Sequence, residues 1–564
     1  MDLVPVTSTG SAKDGMKYGE RLLPQLIDEK ARTHPDDVVG MMAKSEDISA
    51  GFSTLSYSQL SNAISFTAHW IDAKLGSNNE VNEPICFIGI QDFRYWVMEL
   101  AAMKTGHPIL IPSTRNAVSN TVSLLNATKC SKLFYAGPLA AHAQKIADAT
   151  PDGLGTFEIP DLEFMVHQVT DHYSYTKTWE EAKRDTAMIV HTSGSTGAPK
   201  PIYYNHIHLN RPDRDHLVEP VRGRISADTT LLGKSKLTFI GTPFFHLSGI
   251  SFSVAVFFRG SIAVIGPPML TGSGKIIGDI IKALHDIHGI VLVPSLCDTV
   301  FIDYGSELLP YMKELFHVCW LGGSIYIGPI AQATGDFITS HTSAHLWQIM
   351  ASTETHLHPY LIPPSQNWMH LLFHPTLGPT AELLPGASTA DGRQLYEIVQ
   401  NRKADSDPGR AFQVVFDIFP ELQQWRSRDL VTRLELDGDV LYNFQGRLDD
   451  ILILRTGLKV NPVDLEVMVS GHPLLSGCLV FGSDKPKCGL LVEPKSKDVP
   501  SEDLIEKVWR YVVDANATLP EHARVERNMI LIVAPMSFPR AGKGSIVRSL
   551  TYQVYNREIQ ALYL

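Results

Sequence analysis

Over most of the first 450 residues, short apolar runs alternate with segments of helical period. The runs PICFIGI (84–90), HPILIPS (107–113), KLFYAG (132–137), AMIVHT (187–192), SIAVIG (261–266), GIVLVPS (289–295) and HVCWLGG (317–323) read as buried strands. In the segment FRYWVMELAAMKTG (93–106), Trp96, Leu100 and Met103 fall on one helical face. Strands that alternate with helices predict an α/β fold, with a large N-terminal domain of mostly parallel sheets flanked by helices. The texture changes after residue 440. VLYNFQGRLDDILIL (440–454) reads as two strands around a Gly446-Arg447 turn, and Asn461-Pro462 reads as an N-cap followed by proline at the first helical position. GCLVFG (477–482), GLLVEP (489–494) and RNMILIVAP (527–535) are strand-like, and SEDLIEKVWRYVVDA (501–515) has Leu504, Val508, Trp509 and Val512 at helical spacing. The expected organisation is a large unit over 1–446 and a small mobile α+β unit over 447–564, with a hinge near 447–450.

Composition narrows the function classes. The chain has 564 residues, more than one hydrophobic core usually supports. A 44% hydrophobic and 19% charged content is ordinary for globular proteins. The formal net charge of −11 leaves no electrostatic footprint for nucleic acid. No run of about 18 uncharged apolar residues is present, so no membrane span is expected. The six cysteines, Cys86, Cys130, Cys297, Cys319, Cys478 and Cys488, form no C-x-x-C pair and have no histidine at zinc-ligand spacing. Scattered thiols fit a reducing compartment, and the N-terminus lacks a basic start followed by an apolar run. The expectation is a cytoplasmic location.

The most informative segment is HTSGSTGAPKP, residues 191–201. It follows a buried strand. Its glycines allow close backbone approach to an anion, and its N–H groups can form a nest around phosphate. Thr192, Ser193, Ser195 and Thr196 add hydroxyls, Gly194 and Gly197 add freedom, and Lys200 adds a point charge. The G-x-x-x-x-G-K-[ST] spacing of the kinase-type P-loop is absent. The bland reading is a Ser/Gly surface loop.

The whole pattern resembles the phosphate-binding signature of the adenylate-forming superfamily, which includes acyl-CoA synthetases, luciferases and the adenylation domains of nonribosomal peptide synthetases. Further segments resemble that family's blocks in its order. PFFHLSGI (243–250) is similar to one wall of the acyl pocket, with His246 facing the acid. LGGSIYIGP (321–329) is similar to the glycine loop near adenine and substrate, here Gly322, Gly323 and Ser324. QIMASTET (348–355) is similar to the block in which Thr353 contacts phosphate, Glu354 holds magnesium and Met350 lies against the base. WRSRDL (425–430) carries Asp429, the implied ribose ligand. GRLDDILILRTGLKVNP (446–462) carries Arg447 for the nucleotide and Asp449 as hinge pivot. FPRAGKGSIVR (538–548) carries Lys543, the implied catalytic lysine.

The resemblance implies ATP and Mg²⁺ as cofactors and a small carboxylic acid as substrate. The acid is activated as its acyl-adenylate. The small domain then rotates, presents a face near Gly457, and a phosphopantetheine thiol takes the acyl group. GRLDD followed by TGLKVNP, with PKPI (199–202) and RLLPQLIDEKARTHPDD (21–37), is similar to fungal reductase-type synthetases, which join adenylation, carrier and reductase domains. The chain stops after EIQALYL without a Gly-Gly-x-Ser site, which suggests an adenylation domain whose carrier and reductase partners lie downstream. An α-amino acid is disfavoured, because His246 or a neighbour stands where amino-acid-activating relatives carry aspartate. An aryl or simple acid is favoured. Two departures stand out: Met350-Ala351 replaces an aromatic-Gly pair, and Leu458 replaces a glutamate of the fungal pattern. The alternatives are a standalone acyl-CoA ligase and a non-catalytic carrier-docking module.

Overall fold

A computed structural model describes residues 17–76, 83–151, 153–192, 199–226, 236–268, 273–322, 329–389, 391–456, 458–497, 501–540 and 546–563. Two mainly parallel sheets dominate the large unit. The six-stranded sheet runs Gly155–Ile159, Lys132–Ala136, Ile85–Ile88, Ile109–Leu110, Thr186–His191, Pro201–Asn205, parallel except for the last pair. The seven-stranded sheet runs His345–Ile349, His317–Leu321, Ile287–Leu292, Leu237–Ile240, Ile262–Ile265, Val38–Ala43, Phe52–Ser56, again antiparallel only at the last pair. All seven predicted apolar runs form strands. HPILIPS contributes only Ile109–Leu110, because prolines 108 and 112 bracket it and lack ladder donors.

The helix predicted at 93–106 spans Arg94–Thr105, yet it is buried from Arg94 through Lys104 and not along one stripe. It packs against the helices Leu23–Thr33 and Tyr57–Leu75 on one side and the six-stranded sheet on the other. Its polar members are therefore enclosed. Lys104 Nζ bonds both oxygens of Asp28 at 2.8 Å and the Tyr173 carbonyl at 2.7 Å, while burial drives the Glu99 carboxyl well above its ordinary range.

The sequence reading anticipated no antiparallel sheet in the large unit, but one of four strands follows the parallel sheets: Thr380–Ser388, Gln394–Asn401, Gln424–Leu436 and Asp439–Arg447. Gly446-Arg447 is not a turn. The strand runs through both residues, with Arg447 opposite Asp429, and the chain turns only at Leu448–Asp450. Gly446 has φ +123°, which suits glycine at the register shift between Leu430 and Val431.

Beyond that turn lies a separate hydrophobic core, built by Leu452, Val460, Leu490, Val508, Val512 and Ile530 among others. Its sheet pairs Leu475–Phe481 antiparallel and Val525–Ile532 parallel to the central Cys488–Pro494. Helix Ser501–Thr518 buries Leu504, Val508 and Val512 against it. The short helix starts one residue later than its sequence signal: Asn461 Oδ1 accepts the Val463 N–H at 3.2 Å and its amide donates to the Gln445 carbonyl at 2.7 Å. All six cysteines are buried, and among the described residues no helix is long and apolar enough to cross a membrane.

Candidate active site

Of the predicted site residues, Thr192, Gly322 and Met350 each directly follow a parallel strand of the two large sheets. Ligands of open α/β sheets bind outside the carboxyl ends of strands, because loops there converge with free N–H groups. Thr186–His191 leads into Thr192, His317–Leu321 into Gly322, and His345–Ile349 into Met350. The Thr192 N–H donates to the Lys200 carbonyl at 3.0 Å, which closes the base of the intervening segment. His191 braces that base. Its Nε2 accepts the Ser113 N–H at 3.0 Å, so Nδ1–H faces the Thr192 carbonyl at 3.2 Å. Burial lowers its pKa and keeps the ring neutral for this bridging role. Lys200 is exposed. Ser193, Gly194, Ser195, Thr196, Gly197, Gly323, Ser324, Gly457 and Lys543 lie outside the described residues.

Gly322 is fixed by packing. Its N–H donates to the Ile349 carbonyl at 2.8 Å, and a Cβ there would sit 2.3 Å from Gln348 Oε1. Met350 is 2% exposed, and the Tyr360 hydroxyl grips both its N–H (3.1 Å) and its carbonyl. The next turn is locked by reciprocal bonds. Ser352 N–H donates to Thr355 Oγ1 and Thr355 N–H to Ser352 Oγ, each at 3.2 Å. Thr353 and Glu354 project from this turn, half-buried.

Tyr204, which sequence reasoning did not single out, joins the two sheets at this point. It is wholly buried on the strand after the phosphate segment, and its hydroxyl donates to the Thr353 carbonyl at 2.5 Å. Its burial and the nearby Glu354 charge hold its pKa well above the ordinary range. No local pattern in PIYYN singles it out from Tyr203; its burial is visible only in the structure.

A cleft opens beside Met350, Ala351 and Ser352 and is closed opposite by Trp425, Ser427 and Asp429. Asp429 is 7% exposed; its N–H donates to Ser427 Oγ at 3.0 Å, and Arg447 Nη1 meets its Oδ1 at 3.2 Å. Burial raises its pKa to about 6 against the pull of Arg447, with Glu397 and Glu354 adding to the rise. Glu354 therefore acts on Tyr204 and Asp429 alike. Arg428 has φ +64°, unusual for a non-glycine residue. Its N–H donates to the buried Glu397 Oε1 at 3.1 Å, and its Nη2 pairs with Asp449 Oδ1 at 3.0 Å. Asp449 also lies 3.9 Å from Arg447 Nη2. Two arginines thus cross between strand and turn.

His246 is exposed at the N-cap of helix Leu247–Arg259, where its Nδ1 accepts the Ser248 N–H at 3.4 Å. Its ring serves the helix terminus and not a packed core. Among the described residues no group of three or more His, Cys, Asp or Glu is placed to cage a metal. A single half-buried carboxylate such as Glu354 fits a magnesium ion that arrives with nucleotide phosphates, since Mg²⁺ is commonly held by one or two carboxylates and substrate oxygens.

Comparison with known proteins shows the family. The AMP-binding enzyme family model matches residues 27–373, and the AMP-binding enzyme C-terminal domain model matches 449–564. The chain belongs to the AMP-binding enzyme family. It is 28% identical over 564 residues to a carboxylic acid reductase of Neurospora crassa, with 98% of this chain covering 51% of that protein. It is 27% identical to the isocyanide synthase-NRPS hybrid crmA of Aspergillus fumigatus, with 99% of this chain covering 34% of that protein. The chain thus spans between a third and a half of these relatives. Among solved structures, the anthranilate CoA ligase AuaEII in complex with anthranoyl-AMP superposes with a TM-score of 0.66 at 15% identity, covering 97% of this chain and all of that one. Acetoacetyl-CoA synthetase from Streptomyces lividans gives 0.68 at 14% identity, covering 96% and 83%. At such identities the likeness is one of fold.

Proposed function

We propose that the chain activates a carboxylic acid with ATP, forming acyl-AMP and releasing pyrophosphate, and passes the acyl group to the phosphopantetheine thiol of a carrier domain in a reductase-type synthetase. The carrying observation is the cleft lined by Met350 and Asp429, with the charge of Glu354 close enough to act on Asp429.

A carboxylate resists nucleophilic attack because addition would put more charge on an anion. Exchange of one oxygen for AMP removes that obstacle. The acid oxygen attacks the α-phosphorus, the bond to pyrophosphate breaks, and charge accumulates on phosphoryl oxygens. Catalysis is then mainly positioning and electrostatic stabilisation. In this reading Asp429 accepts the ribose hydroxyls, and Met350 lies against the base through its polarizable thioether. The Thr192–Lys200 segment holds pyrophosphate oxygens, and Thr353 orients phosphate. Glu354 would hold magnesium, which supplies neutralising charge on the phosphates when bound. Lys543 bridges acid and α-phosphate. Asp449 is the pivot about which residues 447–564 move before thiol attack.

ATP–pyrophosphate exchange over benzoic, cinnamic, aliphatic and amino acids tests the reading. Exchange with an aryl or simple acid is expected, reduced by ~10²–10³-fold in Glu354→Gln. Exchange with amino acids alone would overturn the acid class, and no exchange at all would overturn adenylation. Thioester formation with free coenzyme A, measured in parallel, separates the standalone ligase from the carrier-dependent enzyme.

A further inference from the structure

A buried arginine that the proposed reaction does not use lies in the large unit. Arg211 opens the short helix Arg211–Arg214 and is 0% exposed. Its Nη1 pairs with Asp215, and the Phe412 ring covers one face of the guanidinium, 4.8 Å from its carbon. Nε and Nη2 form the remaining edge, where two N–H bonds run parallel as a fork. Both nitrogens are buried and find no hydrogen-bond partner among the described residues. His208, three positions earlier, is built alike. Its Nδ1 accepts the Asn205 N–H at 3.1 Å, so the hydrogen stands on Nε2, which is buried without a partner too. Burial lowers its pKa to about 4 and keeps the ring neutral. His356, 1% exposed, adjoins both: burial, then the charge of Arg211 and the presence of His208, hold it well below the ordinary range.

The surroundings are rich in cations. Arg21 pairs with Asp213, Arg410 with Asp417 at 2.6 Å, and Arg259 donates to the Pro212 carbonyl at 2.5 Å. Arg214 is buried, and its pKa falls to about 10 through that burial and the charge of Arg211, against Asp417 and Asp213. These guanidiniums outnumber Asp213, Asp215 and Asp417, and the fully solvated Asp405, 3.7 Å from Arg410, adds little. An unpaired buried donor is costly, and more so when it is charged. Every unpaired group of Arg211 and His208 is a donor. A water at this edge would have to aim its own hydrogens at acceptors, whereas an anion accepts from each donor and offsets the surplus charge. None of Arg211, His208 and His356 is more than 2% exposed, so the occupant is small and enters as the chain folds or opens locally.

We propose that the Nε–Nη2 edge of Arg211, with His208 Nε2 as a further donor, is a structural binding site for one small inorganic anion of the chloride class. The anion ties the short helices His206–Leu209 and Arg211–Arg214 to the chain at His356, two residues beyond Glu354. It stabilises the folded large unit by binding it in preference to the unfolded chain. The site stands apart from the chemistry proposed for the cleft and holds whether or not that reading does.

The test uses the full chain. Thermal unfolding is followed in sodium chloride, sodium bromide and sodium gluconate at equal ionic strength, gluconate being too large for an enclosed site. Crystals grown in sodium bromide are measured at the bromine absorption edge. The expected midpoint is about 2–4 °C higher in chloride and bromide than in gluconate, the scale that an anion at roughly ten times its Kd produces. An anomalous peak is expected within hydrogen-bonding reach of Arg211 Nε and Nη2. Arg211→Met combined with Asp215→Asn removes the fork without stranding a carboxylate, and in it the peak and the difference between salts should both vanish. Should that variant not fold, His208→Phe removes one donor, keeps a ring of similar size and should narrow the difference. Water without anomalous signal at the Arg211 edge overturns the proposal. So do equal midpoints in the three salts, or a difference that neither variant alters.

Discussion

Two charged clusters lie on either side of the turn at 448–450, and they are built to opposite rules. At Asp429 the carboxylate is buried but held by one guanidinium contact at 3.2 Å, and its pKa is pushed to about 6. At Arg548 the guanidinium is saturated by two carboxylates and a carbonyl. Burial opposes its charge, but Glu466 and Asp450 more than offset this and hold it well above the ordinary range. A buried carboxylate that lines a cleft is available to an incoming ligand; a guanidinium enclosed by its partners is available only to its neighbours. On the function proposed above, the first suits a centre that exchanges partners and the second a fixed joint.

The largest expected effect tests the joint. Arg548→Met leaves Glu466 and Asp450 without compensation, and removal of one partner of a buried network costs about 3–5 kcal/mol. Denaturant unfolding followed by the fluorescence of Trp509 should report it, and a loss below ~1 kcal/mol would place Arg548 among surface-like pairs. Next, Asp429→Ala removes a charge-assisted acceptor worth about 1.5–3 kcal/mol. The kcat/KM for ATP should fall by roughly 10- to 150-fold at this energy scale, with little change in unfolding midpoint.

A pH profile sharpens the contrast further. The folded pKa of Asp429, about 6, lies above its unfolded value, so its contribution to stability is fully present below the unfolded pKa and is lost as pH rises through about 6. On the proposed role of Asp429 as the ribose ligand, binding runs the other way, because the ionised carboxylate is the acceptor. The apparent affinity for ATP should weaken as pH falls through 6, and Arg447→Met should move that midpoint upward by removing the charge that opposes the rise. A midpoint unmoved by Arg447→Met would remove Arg447 from the site. The smallest effect is expected for Arg428→Gly. Glycine relieves the positive φ while the half-exposed pair with Asp449 is lost, and the two changes should cancel to within ~1 kcal/mol in thermal unfolding.

Much of this frame can be read from the chain. Apolar runs bounded by glycine and proline located the parallel strands, since such strands are buried on both faces. The antiparallel sheet escaped because QWRSRDLVTRLEL carries charge on many positions and its pairing depends on partners elsewhere in the chain. Gly446-Arg447 resembled a turn because local signals cannot distinguish a bulge from a reversal. Candidate residues Glu354, Asp429 and Arg447 could be named from their blocks, but the coupling of Glu354 to Tyr204 could not. Tyr204 bonds the Thr353 carbonyl 149 positions away, and the charge of the adjacent Glu354 acts on the same hydroxyl. The Arg548 network spans 68 to 98 positions, and no local pattern announces it.

The cysteines supply a native clock. Four thiols lie in the large unit and two, Cys478 and Cys488, in the small core, and all are withdrawn from solvent. Burial also keeps Cys478 and Cys488 protonated, with pKa values of about 12. Pulse alkylation of the intact protein should therefore read the opening of each unit separately, and a single cysteine introduced on the surface could be labelled without first removing the native six.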